Sequence, residues 1–356
     1  MKQLIENAQH IVIFTHMAPD GDAMGSSLAL YHWISSLSGE GRSLSVVVPN
    51  AFPAFFNWMP GAKDILIYEK KPDVCNRLIA EADLFICTDF NDPKRIGPMG
   101  EKMLQNSCPK ILIDHHLKGQ KDDVQGTKEE SIWAEEHVDS KASSSCEIVY
   151  RLLKDLGYWP LAVSPKPIAN SQQLIATCIY TGLMTDTGNF SYNSNNPEIY
   201  EIIAHLIRAG VQKDEIYNAV FNQYSTDRVR LTGYALYRKM RIYQEYHLAL
   251  ITLSADELDR YHYQVGDTEG LVNMPLQISD VYYSVFMREE RPKPGTPKPR
   301  IRISFRSQGD RPVNIWAGEV FHGGGHANAS GGELFGKLEQ AVQLFEKSFP
   351  LYVKKS

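Results

Sequence analysis

The sequence predicts an α/β protein. It reads as an N-terminal parallel-sheet domain with helices on both faces, then a smaller C-terminal α/β domain. Three observations predict this. Short apolar, β-rich runs alternate with helix-length segments through the first half. The later part changes to successive helices and then to new strands, and 356 residues is long for a single core.

Taken in order, "IVIFTH" (11–16) reads as a strand and 23–38 as the helix that follows it. "SLSVVVP" (43–49), "ADLFICTDF" (82–90) and "PKILIDHH" (109–116) read as further strands. Apolar runs of this length suit strands covered on both faces, and parallel sheets gather active-site residues at the strand C-terminal ends. "SSSCEIVYRLLKDLG" (143–157) has a serine start and Gly157 near its stop, so it reads as a helix. Another helix, about 170–185, follows the Pro-rich loop "PLAVSPKPI". "NPEIYEIIAHLIRAG" and "KDEIYNAVFNQYS" give two more helices, and about 228–240 a bridging one. "YHLALITLS" (246–254), "VYYSVFMRE" (281–289) and "RIRISFRS" (300–307) are new strands, and "REERPKPGTPKPR" (288–300) an exposed hairpin loop. A first domain is expected over 1–225, a linker helix over 226–240 and a second domain over 241–356.

Composition limits the function. With 43% hydrophobic and 22% charged residues the chain has the make-up of a soluble globular protein. A net charge of −5 excludes a strongly basic nucleic-acid coat, so any such contact is local. The five cysteines form no CxxC pair and are odd in number, which argues against a disulfide scaffold or a thiolate zinc site and suits a reducing cytoplasm. "MKQLIENAQH" is unlike a signal peptide, and no run of about 18 apolar residues would span a membrane.

The unusual residues stand where these runs end. His16, Asp20 and Asp22 follow the first strand, Asp89 ends "LFICTD", Asp114, His115 and His116 end "KILIDHH", and Asp186 lies in "YTGLMTDTGNF". Singly, each is more often a helix cap or turn residue than a ligand. Gathered in one pocket, the carboxylates would repel and resist desolvation, and divalent cations supply the missing charge. Carboxylates and imidazoles without thiolate suit manganese or magnesium-like ions. Two cations sharing a carboxylate lie about 3.5–4 Å apart and serve phosphate-ester hydrolysis. Asp20 and Asp22 are expected on one extended turn before a helix starting near Ala23 to Gly25, with Gly25 and Ser26 permitting close approach of backbone or phosphate. In the C-terminal part, "GGGHANASGG" offers a permissive backbone with His326 at its edge. Arg306 ends a strand, whereas Arg300 and Arg302 read as solvated surface residues; Trp133, Tyr158 and Trp159 have rings able to stack on bases, with core packing the commoner fate, and none is assigned to a site.

"THMAPDGDAMGSSLAL", "CTDFND", "LIDHH" and "TGLMTDTGNF" resemble the four motifs of the DHH phosphoesterase superfamily, and "FHGGGHANASGG" (321–332) resembles its DHH-associated C-terminal domain. Within it the chain is similar to the NrnA-like group of bifunctional nanoRNases and 3′-phosphoadenosine 5′-phosphate (pAp) phosphatases. The resemblance implies a catalytic domain and a substrate-binding domain with the active-site cleft between them, and a pair of divalent cations, Mn2+ with Mg2+ or Co2+ as alternatives. His16 and Asp20 would hold the first ion and Asp22, His115 and Asp186 the second, with Asp89 bridging. His116 would face substrate phosphate, stabilising charge or protonating the leaving group, so that His116, Asp89 and Asp22 form the catalytic set. Asp114 would orient an imidazole, and Arg306, Gly324, Gly325 and His326 would bind substrate. The expected partners are short oligonucleotides or a nucleotide, with no membrane and no stable binding of long duplex DNA, and a homodimer is a candidate assembly. A cyclic-dinucleotide or pGpG phosphodiesterase, and a non-catalytic nucleotide-binding protein, are the competing functions.

Overall fold

Buried strands separated by amphipathic helices give the chain its layers. The computed structural model describes residues 1–37, 41–116, 131–159, 170–292 and 298–353. They form two compact units, Met1–Gln223 and Tyr224–Ser356. The Pro-rich loop 160–168 and the hairpin tip 293–297 lie outside the described residues.

In the first unit, strands β1 (His10–Phe14), β2 (Ser43–Val48), β3 (Leu66–Ile67), β4 (Leu84–Thr88), β5 (Lys110–Asp114) and β6 (Glu135–Val138) make one sheet, order β3-β2-β1-β4-β5-β6. Every pairing in it is parallel. The helices are α1 (Lys2–Asn7), α2 (Gly21–Leu37), α3 (Pro72–Glu81), α4 (Pro98–Gln105), α5 (Ser145–Asp155), α6 (Asn170–Asp186), α7 (Pro197–Arg208) and α8 (Lys213–Phe221). Strand alternation divides the interior. Ile11, Ile13, Ile86 and Ile113 pack with Leu28, Val149 and Ile179 on one face, and Val12, Phe14, Phe85 and Leu112 pack with Ile79 and Met103 on the other. Each such side chain contributes about 1.5–3 kcal/mol by leaving water. Caps fix the helix starts: the Ser144 side chain accepts from Glu147 N, and Asn196 accepts from Glu198 N just before Pro197. Chain order reverses between β1 and β4, and such a reversal opens a crevice at the strand C-terminal ends.

The second unit contains helices α9 (Thr226–Tyr234), α10 (Ala255–Arg260), α11 (Asn314–Phe321) and α12 (Leu338–Tyr352). Its strands are β7 (Arg241–Tyr243), β8 (Leu248–Leu253), β9 (Tyr283–Glu290), β10 (Arg300–Ser307), β11 (Gly324–His326) and β12 (Ala329–Phe335). They form a mixed sheet, order β11-β12-β10-β9-β8-β7. Leu231 of α9 and Ala235 pack with Ile251, Leu253 and Phe286, so this helical segment is built into the unit's own core.

Three expectations are corrected. Helix α2 starts at Gly21, because Asp20 Oδ1 accepts from Asp22 N and Ala23 N, each at 3.1 Å. Asp22 therefore stands in the first turn of a helix, not on an extended turn. Gly25 and Ser26 are buried against protein: a Cβ at Gly25 would lie 2.6 Å from the Cys178 carbonyl oxygen of α6, and Ser26 Oγ donates to Asp22 O. Arg300 and Arg302 are not freely solvated, since Arg300 pairs with Glu333 and Arg302 Nε lies 3.6 Å from Glu290. The core reading holds for Trp159, which is 3% exposed and stacks on Tyr150.

Candidate metal centre

The loops after β1, β4 and β5 meet the first turn of α2 and the last residue of α6, and they bring His16, Asp20, Asp22, Asp89, Asp114, His115, His116 and Asp186 into one cluster. Asp89 is at its middle. Its Oδ2 is 3.2 Å from His16 Nε2, and its Oδ1 is 3.4 Å from His115 Nε2. Asp20 Oδ2 lies 3.8 Å from His16 Nε2, completing one group. Asp22 Oδ2 and Asp186 Oδ2 lie 3.8 and 3.5 Å from His115 Nε2, completing a second. Asp114 is fully buried, with Oδ1 2.7 Å from His116 Nδ1, so His116 is oriented through that nitrogen.

Local structure explains how these groups are held. Asp89 follows β4 with φ 66°, a left-handed posture that Asp adopts more readily than most residues, and its N–H donates to Ile113 O. His16 Nδ1 is 2.9 Å from Met17 O and His115 Nδ1 is 3.4 Å from Ala142 O. A carbonyl only accepts, so each Nδ1 carries the proton and each Nε2 is turned to the carboxylates. Helix α6 stops just past Asp186, where Gly188, Asn189 and Phe190 take φ of 54°, 57° and 63°, a single left-handed turn.

Sequence reasoning missed Ser145. Its N–H donates to Asp22 Oδ2 at 2.6 Å and Cys146 N–H donates to Asp22 Oδ1 at 2.9 Å, so the N-terminus of α5 holds that carboxylate. Ser145 Oγ also donates to Asp89 Oδ1 at 3.1 Å. The signal was the serine run at the helix start, read only as a cap. Asn50 was missed as well: its Oδ1 accepts from Ala18 N at 2.7 Å and braces the loop between His16 and Asp20.

The electrostatics show a centre short of positive charge. Burial and the neighbouring Asp89 charge push the Asp22 carboxyl up to about 7. Burial, with the Asp22 and Asp20 charges, holds Asp186 well above the usual carboxylate range. Burial would also raise Asp89, but hydrogen bonds from His115 and His16 reverse this and hold it well below. Burial opposes protonation of His115, yet the Asp89 hydrogen bond and the Asp186, Asp89 and Asp22 charges raise it well above its ordinary value. Hard oxygen and imidazole donors arranged as two groups around one shared carboxylate fit a pair of divalent cations. The adjacent thiol, Cys146 Sγ, is turned to the Asp22 backbone carbonyl at 3.7 Å.

The expected substrate residues other than His116 belong to the second unit. Arg306 pairs in register with Ala329, and Ala329 with His326, so Arg306 and His326 share one sheet face two strands apart. At Gly325, φ is 137° and a Cβ would lie 2.7 Å from Ala329 O, whereas Gly324 is exposed and a Cβ there would be in open space. The glycine at 325 is therefore required by the close approach of β11 to β12.

Residues 10–183 match the family model described as "DHH family, N-terminal domain". The chain is similar to the crystal structure of an exopolyphosphatase-related protein from Bacteroides fragilis, with 44% identity, 99% of this chain and 94% of that one covered, and a TM-score of 0.84. It is 28% identical to the bifunctional oligoribonuclease and PAP phosphatase NrnA of Thermus thermophilus, over 94% of this chain and 87% of the relative. It is 25% identical to the cyclic-di-AMP phosphodiesterase GdpP of Geobacillus thermodenitrificans, over 96% of this chain and 48% of that protein. On this agreement of motifs, sheet and relatives, the chain belongs to the DHH family.

Proposed function

We propose that this chain is a metal-dependent phosphoesterase that hydrolyses short oligoribonucleotides from an end, and also pAp. One observation carries the reading: the two oxygens of Asp89 face two different ligand groups, His16 with Asp20 and His115 with Asp22 and Asp186. In this reading His16 and Asp20 would hold one ion, Asp22, His115 and Asp186 the other, and Asp89 would be shared by both. Mn2+ is the preferred ion, with Mg2+ or Co2+ as alternatives. When bound, such a pair lowers the pKa of a water and polarises a phosphoryl oxygen. His116, held through Nδ1 by Asp114, presents its other nitrogen to stabilise the developing charge or protonate the leaving oxygen. Arg306 grips phosphate through its planar fork, with Gly324, Gly325 and His326 contacting the substrate end. The similarity to NrnA of Thermus thermophilus supports the substrate class. Among the described residues no helix is long and apolar enough to cross a membrane, and the five cysteines are free and mostly buried, in keeping with a reducing cytoplasm.

Hydrolysis of pAp, a ribodinucleotide, pGpG, cyclic di-AMP and pyrophosphate is the test, with Mn2+ supplied and with chelator. Turnover of the dinucleotide and pAp, abolished by chelator, is the expected result. The likeness to GdpP favours cyclic dinucleotides as a second reading, and preference for cyclic di-AMP would select it. Nucleotide binding with no hydrolysis of any compound would leave only a binding protein.

A further inference from the structure

The segment after Asp89, "FNDPKRIG", forms a short, braced turn. Asp92 accepts from Lys94 N at 2.9 Å through its side chain and from Arg95 N at 2.9 Å through its carbonyl. Ile96 is fully buried, and Gly97, at φ 58°, turns the chain into α4 at Pro98. This turn presents Arg95 O to Met17 N at 2.8 Å, tying the loop after β4 to the loop after β1 beside His16. The strands beneath are neighbours, with Phe14 opposite Cys87. The position of residue 95 is thus fixed by its backbone.

The Arg95 side chain is only half-buried, and among the described residues no hydrogen bond or ion pair engages its guanidinium. That is unexpected beside a centre with five aspartates. An arginine left unpaired near so much negative charge keeps its fork for an anion that arrives, and a chain of net charge −5 must attract an anionic substrate locally.

From this placement we infer that Arg95 binds a phosphate of the substrate at the His16 end of the centre. The inference rests on the phosphoesterase reading and names a contact within it. The phosphate is either the one being cleaved or one flanking it, and the two sources separate by substrate. A compound with one phosphate, bis(p-nitrophenyl) phosphate, reports the first; a 5′-phosphorylated ribodinucleotide reports both.

The test compares the unmodified chain with Arg95→Ala and Arg95→Lys in kinetics, equilibrium binding of AMP, and bound-metal stoichiometry. Arg95→Ala should raise KM for the dinucleotide about tenfold, the effect of one charge-assisted contact. It should weaken AMP binding similarly and keep the full metal complement, and Arg95→Lys should recover part of both losses. A matching loss on bis(p-nitrophenyl) phosphate assigns the reacting phosphate; its absence assigns the flanking one. Unchanged KM and AMP affinity overturn the inference, as does loss of metal from Arg95→Ala, which would mean that the residue acts through the His16 loop. If the unmodified chain hydrolyses nothing, the phosphoesterase reading fails, while AMP binding by the variants still decides for or against Arg95.

Discussion

At the residue scale the centre depends on Asp89, whose backbone is left-handed and whose two oxygens face different histidines. Asn tolerates the same φ, so Asp89→Asn removes charge with little change of shape. Metal counting should then find fewer ions than in the unmodified chain, with turnover reduced by about a hundredfold or more, as loss of a key electrostatic group commonly gives. An unchanged count with full turnover would remove Asp89 from the shared position. The members of the cluster were legible in the sequence because Asp and His at the ends of apolar runs announce their chemistry by type. Ser145 was not, because it holds Asp22 with a backbone N–H that every residue possesses. Arg95 was passed over for a similar reason: only the fold brings it beside Met17, far from it in sequence.

At the element scale, α2 and α6 approach closely where they carry Asp22 and Asp186. A Cβ at Gly182 would lie 2.2 Å from Cys146 Sγ and 2.9 Å from Asp22 Oδ1. Gly182→Ala should therefore cost about 1–3 kcal/mol of stability, the usual effect of overpacking, and weaken metal binding by displacing Asp22. Denaturant melts with and without metal check both parts, and a neutral variant would show that the helices separate freely. Strands with a continuous apolar run, such as β4 and β5, were legible. Strands β3, of two residues, and β6, "EEHV", were not, because a short or charged edge strand lacks that pattern. The start of α2 was misplaced because Asp20 serves both as helix cap and as a partner of His16, and a ligand reading hid the cap.

At the scale of the whole molecule, the charges of the centre tie stability to pH. Without ions, the raised Asp22 and Asp186 carboxyls keep protons in the folded chain that the unfolded chain releases above about 4, so stability falls as pH rises toward 7. Raised His16 and His115 continue the fall, since their contribution is lost as pH climbs above 6.5 through their folded values. Asp89, held low, matters only in acid. Chelator-treated protein should thus melt several degrees lower at pH 8 than at pH 5.5, and the gain in Tm on adding Mn2+ should widen over that range as ions replace protons. A gain independent of pH would contradict this. The left-handed turn at 188–190 has its own consequence for the chain's history. It leaves α6 no slack at the Asp186 end: one residue inserted in the last helical turn would swing that carboxylate about 100° around the axis. Tolerated insertions and deletions should accordingly gather toward the Asn170 end, and the spacing from Gly182 to Phe190 should stay constant wherever this chemistry is kept.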